Sequence, residues 1–330
     1  MSEYVPGPAT RATIDQERPV LSVRNLRKVY GTQVAVDDMN FDLMPGRSLA
    51  IVGESGSGKT TVARMITGLE KPTSGTITAC GRDRSKPARR GKERKARGRE
   101  VQIVFQDPYS SLDPRQSGAE LIDEVLRVHH DHDVQERKLR GREVQIVFQD
   151  PYSSLDPRQS GADLIDEVLR VHHDHDASDR KRIVGELAEI VGLDQRQINA
   201  MPKALSGGQR QRVAIARALA TDPRVLILDE SVAALDVSIQ AQVLNVLADI
   251  RDERGISYVL ISHDLAVVRQ LTEDAIVMQR GIVVEQGRTG DILDNPQHAY
   301  TQMLRASVPG PGWKPQRMRE RLLGPATAAE

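Results

Sequence analysis

The sequence contains very little cysteine and few aromatic residues. Its single cysteine, Cys80, excludes a disulfide framework, a four-cysteine iron–sulfur site and a zinc site built from cysteines. Aromatic residues make up 3% of the 330 residues, too few for a nucleic-acid surface built from several exposed rings. The 46 basic and 46 acidic residues give a net charge of +0, so no overall field attracts the chain to nucleic acid or to an anionic membrane. We therefore expect no nucleic-acid partner.

Long apolar segments are also missing. The sequence has no run of about 18 apolar residues, the length that a helix needs to cross a bilayer. Its beginning also lacks the apolar stretch of a secretory signal. From these absences we expect a soluble protein of the reducing cytosol.

Short apolar runs rich in β-branched residues alternate with helical patterns, which favours an α/β fold with a largely parallel sheet. The predicted strands are 48–52, 101–105, 225–228, 257–261 and 282–285. The predicted helices are 60–68, 209–220, 238–253 and 265–271. Helical periodicity at about 115–200 predicts an inserted helical subdomain within a cassette at 20–305. Proline, glycine and charge predict flexible tails at 1–19 and 306–330.

One segment of the sequence occurs twice. Residues 98–133 recur at 141–176, offset by 43 residues, and the copies differ only at Glu120 and Asp163. A solenoid needs three or more repeats, normally diverged, that bury one another's apolar faces. Two nearly identical copies instead indicate a recent tandem duplication or a cloning artefact.

A glycine-rich motif with a lysine follows the predicted strand at 48–52. Residues 53–60 read GESGSGKT, which fits G-x-x-x-x-G-K-[ST] between a strand and a helix. Glycines let backbone N–H groups approach phosphates, and the following helix N-terminus favours negative charge. We expect Lys59 to reach the β- and γ-phosphates and the Thr60 hydroxyl to bind Mg²⁺. The predicted nucleotide-binding residues are Gly53, Glu54, Ser55, Gly56, Ser57, Gly58, Lys59, Thr60 and Thr61.

Two further motifs are compatible with a nucleotide site. The apolar strand at 225–228 runs into two adjacent carboxylates, Asp229 and Glu230. Beside a phosphate loop, Asp229 would hold Mg²⁺, and Glu230 would orient or deprotonate the attacking water. The sequence LSGGQ at 205–209 precedes a helical pattern. It is either a second anion-binding helix N-terminus or simply a capped helix.

Together, these motifs resemble the ATP-binding subunit of ABC transporters over about residues 20–305. The phosphate loop, LSGGQ, the Asp-Glu strand, ALD ending at Asp236 and SHD at 262–264 occur in that family's order. The resemblance implies a P-loop NTPase (RecA-like) core with an antiparallel β subdomain and an inserted α-helical subdomain. It also implies that two such subunits pair head to tail, with ATP between the phosphate loop of one and LSGGQ of the other.

The same resemblance implies roles for individual residues outside the phosphate loop. Ser206, Gly207 and Gly208, with Gln209, would contact ATP across the dimer interface, and Asp236 would lie between the two sites. His263 would touch the γ-phosphate and hold Glu230, which makes Glu230, His263 and Lys59 the predicted catalytic residues. Tyr30 would stack on adenine, unless it is an ordinary half-buried tyrosine.

The duplication supplies two candidates for the family's glutamine that contacts Mg²⁺ and the attacking water, Gln106 and Gln149. Lys59 precedes Gln106 by 47 residues and Gln149 precedes Ser206 by 57, so each copy keeps a family spacing on one side only. We expect one place in the sheet for the VQIVF strand, with the spare copy extruded or displacing its twin. We favour Gln149, because its copy runs unbroken into the helices before LSGGQ. A strand from the first copy and a helix from the second are equally consistent with the sequence.

Narrower features resemble one branch of the family, the oligopeptide and dipeptide importers, which include nickel and glutathione systems. They are FQDPYSSLDPR, DVSIQAQV and the segment NPQHAYTQ at 295–302. The branch usually has EPVSALD where this chain has ESVAALD, a change that removes no ligand. The resemblance implies an ATPase that uses ATP and Mg²⁺ at the cytoplasmic face of the membrane. Its implied partners are a second ATPase subunit, two transmembrane permease subunits and, indirectly, an extracytoplasmic solute-binding protein.

Two other functions remain open from the sequence. One is a non-transporting ABC ATPase. The other is a product of the duplication that binds ATP but is catalytically impaired.

Overall fold

The structure is a computed structural model that describes residues 17–85, 101–104, 146–147, 159–230 and 237–307. Most of the predicted N-terminal tail and of the predicted C-terminal tail lies outside these residues. The described strands are β1 (Leu21–Tyr30), β2 (Gln33–Leu43), β3 (Ser48–Val52), β4 (Ser74–Ala79), β5 (Arg82–Asp83), β6 (Val101–Val104), β7 (Ile146–Val147), β8 (Val225–Asp229), β9 (Ser257–Ser262), β10 (Asp274–Gln279) and β11 (Ile282–Arg288). They form one sheet in the order β5-β4-β1-β2-β11-β10-β3-β9-β8-β6-β7.

The centre of the sheet is parallel, as the alternation of strands and helices predicted. Five neighbouring strands, β10, β3, β9, β8 and β6, run in the same direction. Ser48 of β3 lies beside Tyr258 of β9, and Val225 of β8 lies beside Ser257 of β9. Every residue of β3, β8 and β9 is buried, because both faces of a parallel sheet are covered. Alternate residues enter two separate cores, so that Ile51 and Ile227 lie on one face and Val52 and Leu228 on the other.

The other end of the sheet is antiparallel. Strand β1 pairs antiparallel with β2 and with β4, β4 pairs with β5, and β10 pairs with β11. The family resemblance implied an antiparallel subdomain, but apolar patterning alone did not predict β1, β2 or β4. Charged residues and register shifts interrupt the alternation of β1 and β2, where Asn25 and Asp38 have positive φ values of 47°, and β4 has a single large apolar residue, Ile77.

Helices cover both faces of the sheet. They are α1 (Lys59–Thr67), α2 (Gly161–His172), α3 (Ala177–Ile190), α4 (Gln195–Ile198), α5 (Gly207–Leu219), α6 (Val237–Arg254), α7 (Leu265–Leu271), α8 (Thr289–Asp294) and α9 (Ala299–Ala306). Of these, α1, α5, α6 and α7 correspond to the four helices predicted from the sequence. Within the described parts of the chain, no helix is both long and apolar enough to cross a membrane.

Helix α2 comes from the second copy of the duplication. The Ser160 hydroxyl accepts a hydrogen bond from the Asp163 N–H at 3.2 Å, and the Asp163 carboxylate accepts one from the Ser160 N–H at 3.0 Å. This reciprocal cap begins the helix at the residue that follows Ser160. Its apolar side contributes Ile165 and Leu169 to a core shared with α3 and α5.

The two copies contribute different elements to the fold. Strand β6 of the first copy pairs with β8, with Val104 beside Leu228. Strand β7 of the second copy then pairs with β6 in parallel, with Val104 also beside Val147. The expectation of a single place in the sheet was therefore wrong, because the unpaired edge of β6 can hydrogen-bond to an identical segment. The structure combines a strand from the first copy with a helix from the second, the arrangement that the sequence left open.

Deletion of residues 105–147 should leave the fold intact. The deletion joins β6 to residue 148 and retains α2. It shortens the connection between β6 and α2, which lowers the entropic cost of closing that connection by roughly 1 kcal/mol. We therefore expect circular dichroism to show the same secondary structure and a thermal midpoint no lower than that of the parent. Deletion of residues 134–176 is the matched control, since its product differs only in carrying Glu120 in place of Asp163. A clearly lower midpoint for both products would mean that β7 stabilises the sheet.

Candidate nucleotide-binding site

The glycine-rich loop after β3 approaches two neighbouring strands more closely than side chains would allow. A Cβ atom on Gly53 would lie 2.2 Å from the Met278 carbonyl oxygen in β10, and one on Gly58 would lie 2.3 Å from that of Ala35 in β2. Both glycines have positive φ, 152° and 104°, a region that other residues rarely adopt. The loop is therefore held against the sheet, and α1 begins immediately after it, at Lys59.

The ammonium group of Lys59 is buried within this loop. Its side chain donates hydrogen bonds to the carbonyl oxygens of Gly53 at 2.8 Å and Glu54 at 2.9 Å. Lys59 is only 5% exposed, and burial lowers its pKa against the opposing effect of Glu230, Asp229 and Glu54. An anionic phosphate at this position would meet a cation that has already lost most of its water.

Asp229 ends β8 directly beside the start of α1. The Thr60 hydroxyl donates to Asp229 Oδ1 at 3.4 Å, while Oδ2 is buried and has no hydrogen-bond partner among the described residues. Burial, followed by the charge of Glu230, raises the pKa of Asp229 to about 7. A hydroxyl and a carboxylate with a spare oxygen are hard donors of the kind Mg²⁺ prefers, so the residues present fit this ion.

Glu230 and His263 meet at the ends of adjacent strands. Glu230 Oε1 lies 3.3 Å from His263 Nδ1, and the Glu230 N–H donates to the Ile261 carbonyl at 2.8 Å. A positive φ of 47° at Glu230 turns the chain as it leaves β8, a backbone strain of about 1 kcal/mol or more. The Glu230 side chain is 8% exposed and that of His263 is 58% exposed. The pair therefore combines a sheltered carboxylate with an imidazole that solvent or a ligand can reach.

A cavity of about 400 Å³ extends from Lys59, Thr60 and Glu230 to Tyr30, while Asp229 and His263 contact its lining residues without lining it themselves. The ring of Tyr30 is 45% exposed, and the Lys28 ammonium lies over it at 4.7 Å from the ring centre. A base could therefore stack only on the opposite face. The residues that line the cavity are Tyr30, Gln33, Val34, Ala35, Ser55, Gly56, Gly58, Lys59, Thr60, Thr61, Glu230 and Arg280.

The LSGGQ segment forms a helix N-terminus in another part of the molecule. The Ser206 hydroxyl accepts from the Gln209 N–H at 3.3 Å, and the Gln209 side chain accepts from the Ser206 N–H at 2.9 Å. This capping box begins α5 and leaves Ser206 exposed. Among the described residues, Ser206, Gly207, Gly208 and Gln209 are not part of the cavity lining. Three other predicted site residues, Gln106, Gln149 and Asp236, lie outside the described parts of the chain.

Sequence analysis did not identify Arg280 or Tyr300 as parts of the site. Arg280 is exposed at the β10–β11 turn and lines the cavity. The turn is held to the loop because the Gly281 N–H donates to the Ser57 carbonyl at 3.0 Å. Tyr300, in α9, accepts a hydrogen bond from the Glu54 N–H at 3.0 Å. Tyr300 lies in the NPQHAYTQ segment that resembles the importer branch, but nothing local indicates that it or Arg280 meets the loop, since each reaches the loop from a distant part of the sequence.

Two protein-family models match the sequence. The model described as ABC transporter matches residues 36–131 and again residues 118–233. Its two matches overlap within the duplicated region. The model described as oligopeptide/dipeptide transporter, C-terminal region, matches residues 284–328, which include α9.

Several curated proteins are similar to this chain. The oligopeptide transport ATP-binding protein OppD of Mycobacterium tuberculosis is 40% identical over 87% of this chain, which spans only 39% of that protein's length. The oligopeptide transport ATP-binding protein OppF of Lactococcus lactis is 37% identical, with 86% of this chain and 74% of the relative aligned. The dipeptide transport ATP-binding protein DppF of Escherichia coli is 36% identical, with 94% and 81% aligned.

Solved structures share the fold. The structure of cbiO1 from Clostridium perfringens, part of the ABC transporter complex cbiONQ, matches with a TM-score of 0.65 and 24% identity, covering 84% of this chain and 92% of that one. A dimeric ATP-binding cassette in a post-hydrolysis state, bound to ADP and Pi, matches with a TM-score of 0.55, also at 24% identity, covering 82% of this chain and 98% of that one. The predicted P-loop NTPase fold is thereby confirmed.

The raised pKa of Asp229 predicts a pH-dependent stability. Between its unfolded value, 3.8, and its folded value of about 7, the folded state binds the proton more tightly. The free energy of unfolding should therefore fall as pH rises through this range, by on the order of a few kcal/mol. Asp229→Asn removes this titration, so the nucleotide-free variant should be more stable than the parent at pH 8 and similar at pH 4.

This prediction is checked by urea unfolding of both chains from pH 4 to 8. The exposed residue Asp249 provides the control, because Asp249→Asn should leave the pH dependence of the parent unchanged. If Asp229→Asn were less stable than the parent at pH 8, burial of the charged Asp229 carboxylate would not be destabilising the folded protein.

Proposed function

This chain belongs to the ABC transporter family, and we propose that it is the ATP-hydrolysing subunit of an importer for oligopeptides or dipeptides. The observation that carries this proposal is one cavity lined by the phosphate loop with Lys59, by Thr60 and by Glu230, of which Thr60 contacts Asp229 and Glu230 contacts His263. The match of residues 284–328 to an oligopeptide/dipeptide transporter region supports the substrate class.

The arrangement supports hydrolysis of ATP with Mg²⁺. Thr60 and Asp229 would hold the ion, which neutralises charge on the phosphates when bound. Lys59 stabilises negative charge on the transferred phosphoryl group. Glu230 accepts a proton from the attacking water, and His263 holds the Glu230 carboxylate and reaches the γ-phosphate. The exposure of His263 and the burial of Glu230 suit these two tasks.

The chain holds only half of each site, so a second ATPase subunit is part of the proposal. Ser206 caps an exposed helix N-terminus that does not line the cavity of its own chain. Such a terminus favours an anion, here the γ-phosphate bound to a partner ATPase chain. Ser206, Gly207, Gly208 and Gln209 of each chain complete the other chain's site in a head-to-tail dimer, with Asp236 between the two sites.

Solute import requires subunits that this chain does not provide. We assign it to the cytoplasmic face of the membrane, bound to two permease subunits. ATP binding closes the ATPase dimer and hydrolysis reopens it, which drives alternating access in the permeases. An extracytoplasmic solute-binding protein delivers the peptide. The names of the relatives, which are oligopeptide or dipeptide transport ATP-binding proteins, support a role in peptide transport.

Of the two duplicated glutamines, we propose that Gln106 is the one that serves the site. It follows Val104 by two residues, and Val104 lies directly beside Leu228 in the strand that leads to Asp229. Gln149 follows Val147, which is one strand farther from β8. Neighbouring strands are about 4.8 Å apart, so the segment that leads to Gln149 starts about twice as far from β8 as the segment that leads to Gln106. This choice replaces the sequence-based preference for Gln149.

The central test of the proposed function is Mg-ATP hydrolysis by the parent chain and by Glu230→Gln. Removing the general base should lower turnover by about 10²- to 10⁴-fold while ATP binding persists. Phosphate release measures turnover, and equilibrium binding of a fluorescent ATP analogue measures affinity. Unchanged turnover in Glu230→Gln would rule out this role. Turnover by the chain lacking residues 105–147, but not by the parent, would mean that the duplication disables the enzyme.

Single substitutions in the full chain distinguish the two glutamines. A 43-residue deletion cannot do so, since every such deletion within the repeat gives nearly the same sequence. We expect Gln106→Ala to lower ATP turnover at least tenfold and Gln149→Ala, its matched control, to stay within twofold of the parent. The opposite ranking, or no effect from either substitution, would contradict the assignment.

A further inference from the structure

The C-terminal helix α9 is tied to the phosphate loop by a part-buried hydrogen bond. The Tyr300 hydroxyl accepts it from the Glu54 N–H at 3.0 Å, across 246 residues of sequence. Tyr300 is 4% exposed, and burial raises its pKa against the opposing effect of the Glu54 N–H, so the phenol stays protonated at neutral pH. Of the two partners, Tyr300 lies within the segment matched to the oligopeptide/dipeptide C-terminal region.

Glu54 is one of the two loop residues whose carbonyl oxygens hold Lys59. The Glu54 carbonyl accepts hydrogen bonds from Lys59 Nζ at 2.9 Å and from the Ser57 N–H at 3.2 Å. The N–H on the other side of the same residue is the one bonded to Tyr300. Lys59 also donates to the Gly53 carbonyl at 2.8 Å, so the peptide group before Glu54 is bonded to both α9 and Lys59, and the one after it is bonded to Lys59.

The position of Tyr300 is itself fixed by strand β11. The Glu285 carboxylate accepts hydrogen bonds from the N–H groups of Gln297 at 2.8 Å and His298 at 3.1 Å, just before α9. Although burial would raise the pKa of Glu285, these N–H donors lower it. The Tyr300 N–H then donates to His298 Nδ1 at 3.2 Å. The ring therefore extends from a helix start that a carboxylate holds in place.

We propose that Tyr300 is a positioning residue for nucleotide binding. Its hydroxyl fixes the Glu54 peptide, and through it the loop conformation in which Lys59 meets the phosphates. This inference rests on the proposed ATPase function. It gives the C-terminal helix a direct role at the nucleotide site, although Tyr300 does not itself line the cavity.

The test compares two tyrosine-to-phenylalanine variants of the full chain. In Tyr300→Phe the Glu54 N–H loses the hydroxyl that accepts its hydrogen bond, and the Glu54 peptide is no longer anchored to α9. Tyr258 is the matched control. It is also buried, and its hydroxyl donates to the Leu247 carbonyl at 2.8 Å, at a distance from the loop. Both variants lose one hydrogen bond between a tyrosine hydroxyl and the backbone, part-buried for Tyr300 and buried for Tyr258, so the thermal midpoint of each should fall.

Affinity for nucleotide separates a positioning role from a structural one. We expect Tyr300→Phe to raise the dissociation constant for the fluorescent ATP analogue, and the KM for ATP, by about 3- to 10-fold, with a smaller change in kcat. Tyr258→Phe should change neither by more than twofold. Equal affinities of Tyr300→Phe and the parent would overturn the inference. Failure of the parent to bind ATP would instead overturn the proposed function.

A double-mutant cycle isolates the bond. Glu54→Pro removes the N–H donor, because proline has none, at a position whose φ is not positive. In that background, Tyr300→Phe should have no further effect on the dissociation constant. A full additional loss of affinity would show that Tyr300 acts by some other route and would also overturn the inference.

Discussion

The whole site depends on the parallel register of three strands. Because β3, β9 and β8 run in the same direction, their carboxyl ends meet at one edge of the sheet. The phosphate loop follows β3, His263 follows β9, and Asp229 and Glu230 stand at the end of β8. A change of register in any of these strands would separate groups that now lie 3 to 4 Å apart.

Close contacts between backbones hold the loop at that edge. Gly53 and Gly58 let the loop touch β10 and β2, and the Gly281 N–H binds the Ser57 carbonyl from the β10–β11 turn. The hairpin of β10 and β11 therefore supports the loop at its turn, while Glu285 on β11 supports α9 and Tyr300. The antiparallel β10–β11 hairpin and the C-terminal helix α9 therefore both help to fix the conformation of the phosphate loop.

The site concentrates charges that are costly without a ligand. Burial lowers the pKa of Lys59 and raises that of Asp229, so in each case the charged form is destabilised. A bound phosphate would stabilise the charge on Lys59, and Mg²⁺ would stabilise that on Asp229. Burial of these charges lowers the stability of the nucleotide-free protein. Because Mg-ATP relieves this cost when it binds, the same burial increases the affinity for Mg-ATP.

Local interactions explain what the sequence by itself determined. The loop between β3 and α1 depends on glycines that adopt positive φ, and the LSGGQ helix depends on a cap between Ser206 and Gln209. The strand predicted at 48–52 and the helix predicted at 265–271 have the observed bounds, since short apolar runs suffice to specify them. Family resemblance then supplied the antiparallel subdomain, which apolar patterning did not reveal.

Only the tertiary structure decided which distant segments meet. Two identical strands compete for the place beside β8, and no local rule distinguishes them; the structure pairs β6 with β8 and adds β7 outside it. Arg280 and Tyr300 likewise reach the site from the β10–β11 turn and from α9. Such contacts depend on strand pairing and helix packing across hundreds of residues, and local patterns of polarity or capping carry no information about them.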